Sequence, residues 1–403
     1  MPAPTPPPVP APPTAEEARE ALRAVIDPEL GADIVELGMV RQLDVGPDGV
    51  VSVSVALTVA GCPLRAQIER DVRGRLGGLP GVSGVALSIG EMNPEEKSAV
   101  MARARWKARE EAPATSVPAG TRVLAVASGK GGVGKSSVTV NLAVALARRG
   151  LTVGILDADI WGFSVPRLLG MDGGVEARGG KMVPLERPVP GGGGRPDGVL
   201  RVLSMGFLAD EDRAIMWRGL VLNRAVQQFL QDAHWGDLDY LLIDLPPGTG
   251  DVQMGLARML PRAEMLIVTT PPLAAQKVAA RAADMARRGY LRVAGVVENM
   301  SDFTCDHGTT YALFGSGGGA RLAGALGVPL VGTVPLHPDL SAAGDDGRPV
   351  ALDDGELGAV FAGLARAVAE DVAPVVDSAG CTARLLDHVA AAVAAADGRP
   401  TAR

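Results

Sequence analysis

The sequence predicts an α/β protein, with a doubly wound, mostly parallel sheet over residues 121–374 preceded by a small α+β domain over residues 14–95. Three observations carry this. Short apolar runs (VLAVA, VGILDAD, YLLIDLP, MLIVTT, VAGVVEN, LVGTVP) alternate with helical stretches, the pattern of strands buried on both faces and joined by crossover helices. A glycine-rich loop follows the first of these runs and opens a helix. Ahead of them, the stretch APATSVPAG at 112–120 changes the texture, because Pro and Gly there stop helix and ladder alike.

In chain order, the first thirteen residues carry eight prolines and predict an extended, disordered tail. Thr14 and Glu17 have capping-box spacing, so a helix starts there and runs to about Val25. VSVSVALT at 51–58 alternates as a half-buried strand. Residues 96–120 read as a charged helix and linker. Within the larger domain, 170–201 is rich in Gly, Pro and charge and predicts a surface excursion. Residues 375–403 predict a helical tail with an Ala-rich segment.

Composition excludes several function classes. The chain has 403 residues, 39 basic against 46 acidic, a net charge of −7, so general affinity for nucleic acid is not expected. The three cysteines, Cys62, Cys305 and Cys381, are too few and scattered for a secreted disulfide framework, which fits a reducing cytoplasm. No apolar run approaches the roughly 18 residues of a spanning helix. Six of the 39 basic residues are lysines, which makes any close pair of lysines informative.

The glycine-rich loop holds such a pair. Gly129, Lys130, Gly131, Gly132, Val133, Gly134, Lys135 and Ser136 match GxxxxGK[ST], and Ser137 continues the helix start, which together predict a P-loop NTPase domain that binds ATP and Mg²⁺. Glycines let successive backbone N–H groups converge on phosphate oxygens; Lys135 adds charge near the terminal phosphates and Ser136 a hydroxyl for Mg²⁺. Asp157 and Asp159 in ILDADIWG, and Asp244 in YLLIDLPPGTGD, end strands where an α/β sheet meets its ligand. Asp244 is placed to hold Mg²⁺ through water, and Gly248 to offer an N–H to the γ-phosphate.

KGGVGKS resembles the deviant Walker A loop of the MinD/Mrp/nitrogenase-iron-protein class. That resemblance implies that Lys130 reaches across a face-to-face homodimer to the partner's nucleotide. It also implies that DADIWG is switch I, with Asp157 the leading candidate to position the attacking water, and DLPPGTGD the Walker B and switch II segment. Asn299, which ends VAGVVEN, matches the position where that class reads adenine. The stretches at 217–251 and 298–319 look like the Mrp/ApbC branch of iron–sulfur cluster carriers. IDPEL at 26–30 and TVAGCP at 58–63 resemble the small SufT/PaaD-like assembly domain.

In one respect the sequence departs from that branch. Its carriers show CxxC after ENMS, able to hold a [4Fe-4S] cluster between two protomers, whereas here the segment is Cys305-Asp306-His307-Gly308. Cys305 reads either as a cluster ligand or as a residual loop cysteine. Completing four ligands would take His307 from each protomer, Cys62, Cys381 or an exogenous thiol. Pro63 after Cys62 predicts a helix start that favours a thiolate, and the alternative there is a small buried junction residue. Arg218 and Arg224 read as surface residues, with a nucleotide or interface role left open. The resemblance thus implies an ATP-hydrolysing carrier that delivers clusters to apoproteins with assembly factors. The alternative is an ATP-dependent dimeric switch or scaffold without a cluster. A membrane-binding ATPase is not expected, because LLDHVAAAVAAADGRP lacks a basic, bulky amphipathic face.

Overall fold

The computed structural model describes residues 11–27, 30, 32–58, 65–110, 112–159, 162–207, 219–248 and 250–375. The chain divides into two compact units, residues 1–111 and 112–403. Cys62, Cys381, Arg218, most of the proline-rich start and all but the first residue of the 375–403 tail lie outside the described residues.

In the first unit, helix α1 (Ala15–Leu22) starts with the reciprocal pair that its sequence predicts. Glu17 N–H donates to Thr14 Oγ1 at 3.2 Å and Thr14 N–H to Glu17 Oε2 at 2.7 Å, and the helix ends three residues earlier than the apolar pattern indicates. The two-residue strands β1 (Ile26–Asp27) and β2 (Ala32–Asp33) pair with each other. Strands β3 (Val40–Val45), β4 (Val50–Leu57) and β5 (Gly84–Glu91) form a sheet with β4 central, and α2 (Arg65–Gly77) is the crossover between the parallel β4 and β5. Helix α3 (Pro94–Glu110) opens on a second capping box, Asn93 with Glu96, both bonds at 2.8 Å. Its Val100 and Ala104, spaced to share one face, are buried, and Lys107 pairs with Glu36, so α3 belongs to this first unit.

The second unit is built on an eight-stranded sheet. Its elements are β6 (Arg122–Ser128), α4 (Lys135–Ala147), β7 (Thr152–Asp157), α5 (Val165–Leu169), the hairpin β8 (Glu176–Arg178) and β9 (Lys181–Val183), β10 (Leu185–Val189), β11 (Gly198–Ser204) and α6 (Gly219–Gln231). There follow β12 (Tyr240–Asp244), α7 (Asp251–Met259), β13 (Glu264–Thr269), α8 (Leu273–Arg288), β14 (Arg292–Asn299), the hairpin β15 (Phe303–Thr304) and β16 (Thr310–Tyr311), α9 (Gly318–Leu326), β17 (Leu330–Val334), α10 (Pro338–Asp345) and α11 (Glu356–Ala367). Strand order is β10-β11-β7-β12-β6-β13-β14-β17, parallel throughout except for β10.

Alternation along β6 shows the double winding. Val123, Ala125 and Ala127 pack on one side with Phe229 and Leu230 of α6 and Leu256 of α7, while Leu124 and Val126 face Leu142 and Leu146 of α4 and Phe361 of α11. Each such fully buried leucine contributes roughly 1.5–3 kcal/mol of transfer free energy.

The stretch 170–201 departs from its expected role as a surface excursion. It supplies β10 and the start of β11, which pairs in parallel with β7 from Val199↔Thr152 to Ser204↔Asp157. Arg201 interrupts the apolar run VLRVLS and hides the strand in the sequence. In the fold its guanidinium bonds Glu186, its cross-strand partner on β10, and the carbonyls of Trp235 and Asp237.

Candidate nucleotide site and cysteine turn

Strand β6 delivers the chain to the glycine-rich loop at the carboxyl end of the sheet, and α4 carries it away. At Gly129 the loop presses against the backbone of α8, where a Cβ would lie 2.3 Å from the Val278 carbonyl carbon. Gly134 has φ +76° and a Cβ there would come within 2.2 Å of Asn299 Nδ2. Both positions therefore exclude a side chain. Lys130, Gly131 and Gly132 are exposed, Val133 is buried, and Gly134, Ser136 and Ser137 are half-buried. The Lys130 carbonyl accepts from Ser128 Oγ at 3.0 Å.

Lys135 is 6% exposed and donates to Asp244 Oδ1 at 2.7 Å; Asp244 is fully buried. Ser136 Oγ donates to Asp244 Oδ2 at 2.6 Å, and Thr139 Oγ1 lies 3.0 Å from Oδ1. The Asp244 carboxylate and Ser136 hydroxyl are hard oxygen donors side by side, a set that fits Mg²⁺. A cleft of about 230 Å³ opens over this group, walled by the loop, by Asp159, Ser164 and Arg167 from the segment after β7, and by Pro247.

Asp157 and Asp159, two residues apart, have different surroundings. Asp157 lies beside Asp244 in the strand register and is 0% exposed. Its oxygens accept from the N–H groups of Asp159, Ser164 and Val165, each at 3.2 Å, and from Ser204 Oγ at 3.0 Å. Asp157, expected to position the attacking water, is thus enclosed by protein donors, whereas Asp159 lines the cleft. Gly248 also differs from expectation, since its N–H donates to the Ser128 carbonyl at 3.0 Å and does not point into the cleft as a free donor.

Burial, and next the Asp244 charge, push the Asp157 carboxyl up to about 7 from 3.8. A raised carboxyl stabilises the fold fully below the unfolded value and loses that contribution as pH rises through the folded one. Nucleotide-free protein is therefore expected to lose stability between about pH 4 and pH 7 from this group, by at most about 4 kcal/mol. Chemical denaturation of wild type and Asp157→Asn across that range checks it; equal slopes would exclude Asp157 as the source.

Asn299, at the end of β14, is buried and donates through Nδ2 to the Val133 carbonyl at 2.8 Å, while its Oδ1 has no donor among the described residues. Asn299 thus leaves a buried acceptor beside the loop, unfilled among the described residues. Glu298, the preceding residue, is also buried and takes the N–H of Gly319 in the first turn of α9. The second glycine-rich run, GSGGG at 315–319, is therefore capped by the chain's own carboxylate, and a Cβ at Gly318 would meet the Pro271 carbonyl at 2.4 Å.

Six residues beyond Asn299, Cys305 sits in the turn between β15 and β16. Cys305 N–H donates to the Thr309 carbonyl at 3.0 Å and Gly308 N–H to the Cys305 carbonyl at 2.8 Å, with Gly308 at φ +77°. The backbone N–H groups of His307 and then Thr309 hold the Cys305 thiol below its ordinary value, favouring thiolate. His307 is exposed, and no group of three or more His, Cys, Asp or Glu able to hold a metal occurs among the described residues. Arg224 is exposed on α6. Ser164, Arg167 and Ser204 are site-forming residues without a motif to announce them; a serine ending the apolar β11 was the available signal for Ser204. No described helix is long and apolar enough to cross a membrane.

The family model described as "NUBPL iron-transfer P-loop NTPase" matches residues 120–372, and that described as "Iron-sulfur cluster assembly protein" matches residues 15–87. An iron-sulfur cluster carrier protein of Mycobacterium tuberculosis H37Rv is 48% identical over 342 residues, covering 83% of this chain and 87% of its own. One from Deinococcus radiodurans is 44% identical over 355 residues, covering 88% and 93%. The solved structure of a nucleotide-binding protein from Archaeoglobus fulgidus in complex with ADP is 35% identical, with TM-score 0.47, covering 60% of this chain and 91% of its own. With its phosphate-type loop, doubly wound sheet and preceding α+β unit, the chain belongs to the NUBPL iron-transfer P-loop NTPase family.

Proposed function

We propose that this protein is an ATP-binding and ATP-hydrolysing carrier that assembles or transfers iron–sulfur clusters to apoproteins, acting as a cytoplasmic homodimer. The observation that carries this reading is the end of β14. Asn299 there holds the nucleotide loop through Val133, and six residues on the same chain segment forms the turn with the thiolate-favouring Cys305. A change at the nucleotide thus has a short covalent route to the cargo site.

In turnover, Lys135 would exchange Asp244 for the β and γ phosphates, a rearrangement favoured by their greater charge. Mg²⁺, held by Ser136 and Asp244, would neutralise developing phosphate charge. Asp159, from its place on the cleft wall, orients water toward the γ-phosphorus; the bond to the β-phosphate oxygen breaks as the water oxygen bonds to phosphorus. Lys130, exposed at the start of the loop, is the residue available to a second copy's nucleotide.

Cluster cargo needs more thiolates than the described residues of one protomer provide, so Cys305 would act with its copy and with a further pair of ligands, from Cys62, His307 or an exogenous thiol. Gly308 in the second cysteine position supports a second reading, an ATP-driven scaffold without cluster. Anaerobic reconstitution with ferrous iron and sulfide, comparing wild type, Cys305→Ser and Cys62→Ser, separates the two. A carrier shows stoichiometric iron and sulfide with visible absorption in wild type and at least a fivefold loss in Cys305→Ser. Intact ATP hydrolysis with no bound iron in wild type would favour the scaffold.

A further inference from the structure

Gln253 is 3% exposed and occupies the third position of α7, behind the DLPPGTGD segment. A glutamine there ordinarily reaches back to accept the N–H of the helix cap. Here the side chain is turned the other way: Nε2 donates to the Gly248 carbonyl at 2.7 Å. Oε1 is buried with no donor among the described residues. The Gly248 N–H, for its part, donates to Ser128 O at the end of β6. Both backbone polar groups of Gly248 are therefore held, one by the strand before the phosphate loop and one by Gln253. Gly248 has φ +96°, and a Cβ built there meets nothing within 4 Å, so the residue has room to turn.

We propose that Gln253 is a positioning residue for the nucleotide reaction, a latch that keeps the Gly248 N–H on Ser128 and yields it only to a terminal phosphate. This rests on the ATP reading above and deepens it. ADP has no γ-phosphate to compete for that N–H and leaves the latch closed. ATP draws the N–H away, and the turn of Gly248 frees the Gln253 amide to accept through its unpartnered Oε1. The latch thus sets how strongly the protein distinguishes ATP from ADP.

Removing the donor while keeping side-chain bulk tests this on the full chain. Isothermal titration with AMP-PNP and with ADP, for wild type, Gln253→Met and Gln253→Leu, gives the affinity ratio. With one hydrogen bond to break, AMP-PNP affinity relative to ADP is expected to rise about three- to tenfold in the variants, and the KM for ATP to fall while kcat stays within about twofold. A merely structural residue would move both nucleotides alike. An unchanged or lowered ratio in the folded variants overturns the latch. Failure of wild type to bind either nucleotide overturns the ATP reading itself, a distinguishable result.

Discussion

Lys135→Ala is expected to cut ATP turnover at least a hundredfold and to destabilise the nucleotide-free protein by about 3–5 kcal/mol. The first effect follows from removing the closest cation to the terminal phosphates. The second comes from the fold. Asp244 is fully buried, its cationic partner is Lys135 at 2.7 Å, and Asp157 occupies the adjacent position on the next strand. Without the ammonium, the carboxylate keeps, among the described residues, the Ser136 and Thr139 hydroxyls. Breaking a buried pair costs more than deleting it whole, so Lys135→Ala/Asp244→Ala should recover part of the lost stability while remaining inactive. Phosphate-release kinetics and denaturant melts check both. Turnover within twofold of wild type would reject the loop assignment, and equal stability of single and double variants would show that the pair does not anchor the resting site.

The parts of this protein legible from sequence are those set by local rules. The glycine-rich loop between an apolar run and a helix, the Thr14/Glu17 box and the six apolar strands each follow from spacing alone, and they appear in the fold. What eluded sequence depends on neighbours far along the chain. The strand β11 is interrupted by Arg201, whose charge is answered by Glu186 and by the carbonyls of Trp235 and Asp237. The Gly248 N–H goes to Ser128, over a hundred positions earlier, and its carbonyl accepts from Gln253. The two aspartates of DAD are equivalent as letters, and they part company only when the chain turns at Ser164 and closes its amides over one of them.

That division gives the second large effect. Asp159→Ala is expected to lower ATP hydrolysis by roughly 10²–10⁴-fold while leaving ATP affinity within about threefold, because a carboxylate that orients water acts on the chemical step and not on phosphate binding. Asp157→Ala should behave differently. It strips the acceptor from three backbone N–H groups and the Ser204 hydroxyl inside a closed site, so its first consequence is lost stability of at least about 1–3 kcal/mol. Any loss of activity there would follow the loosened segment after β7, which also carries Asp159 and the Ser164 wall of the cleft. Single-turnover hydrolysis beside thermal melts distinguishes the two. A stable, ATP-binding, inactive Asp159→Ala beside a destabilised Asp157→Ala with residual turnover fits the geometry. The reverse pairing would require Asp157 to leave its four donors and enter the cleft when nucleotide binds, making the segment after β7 a moving part of the site.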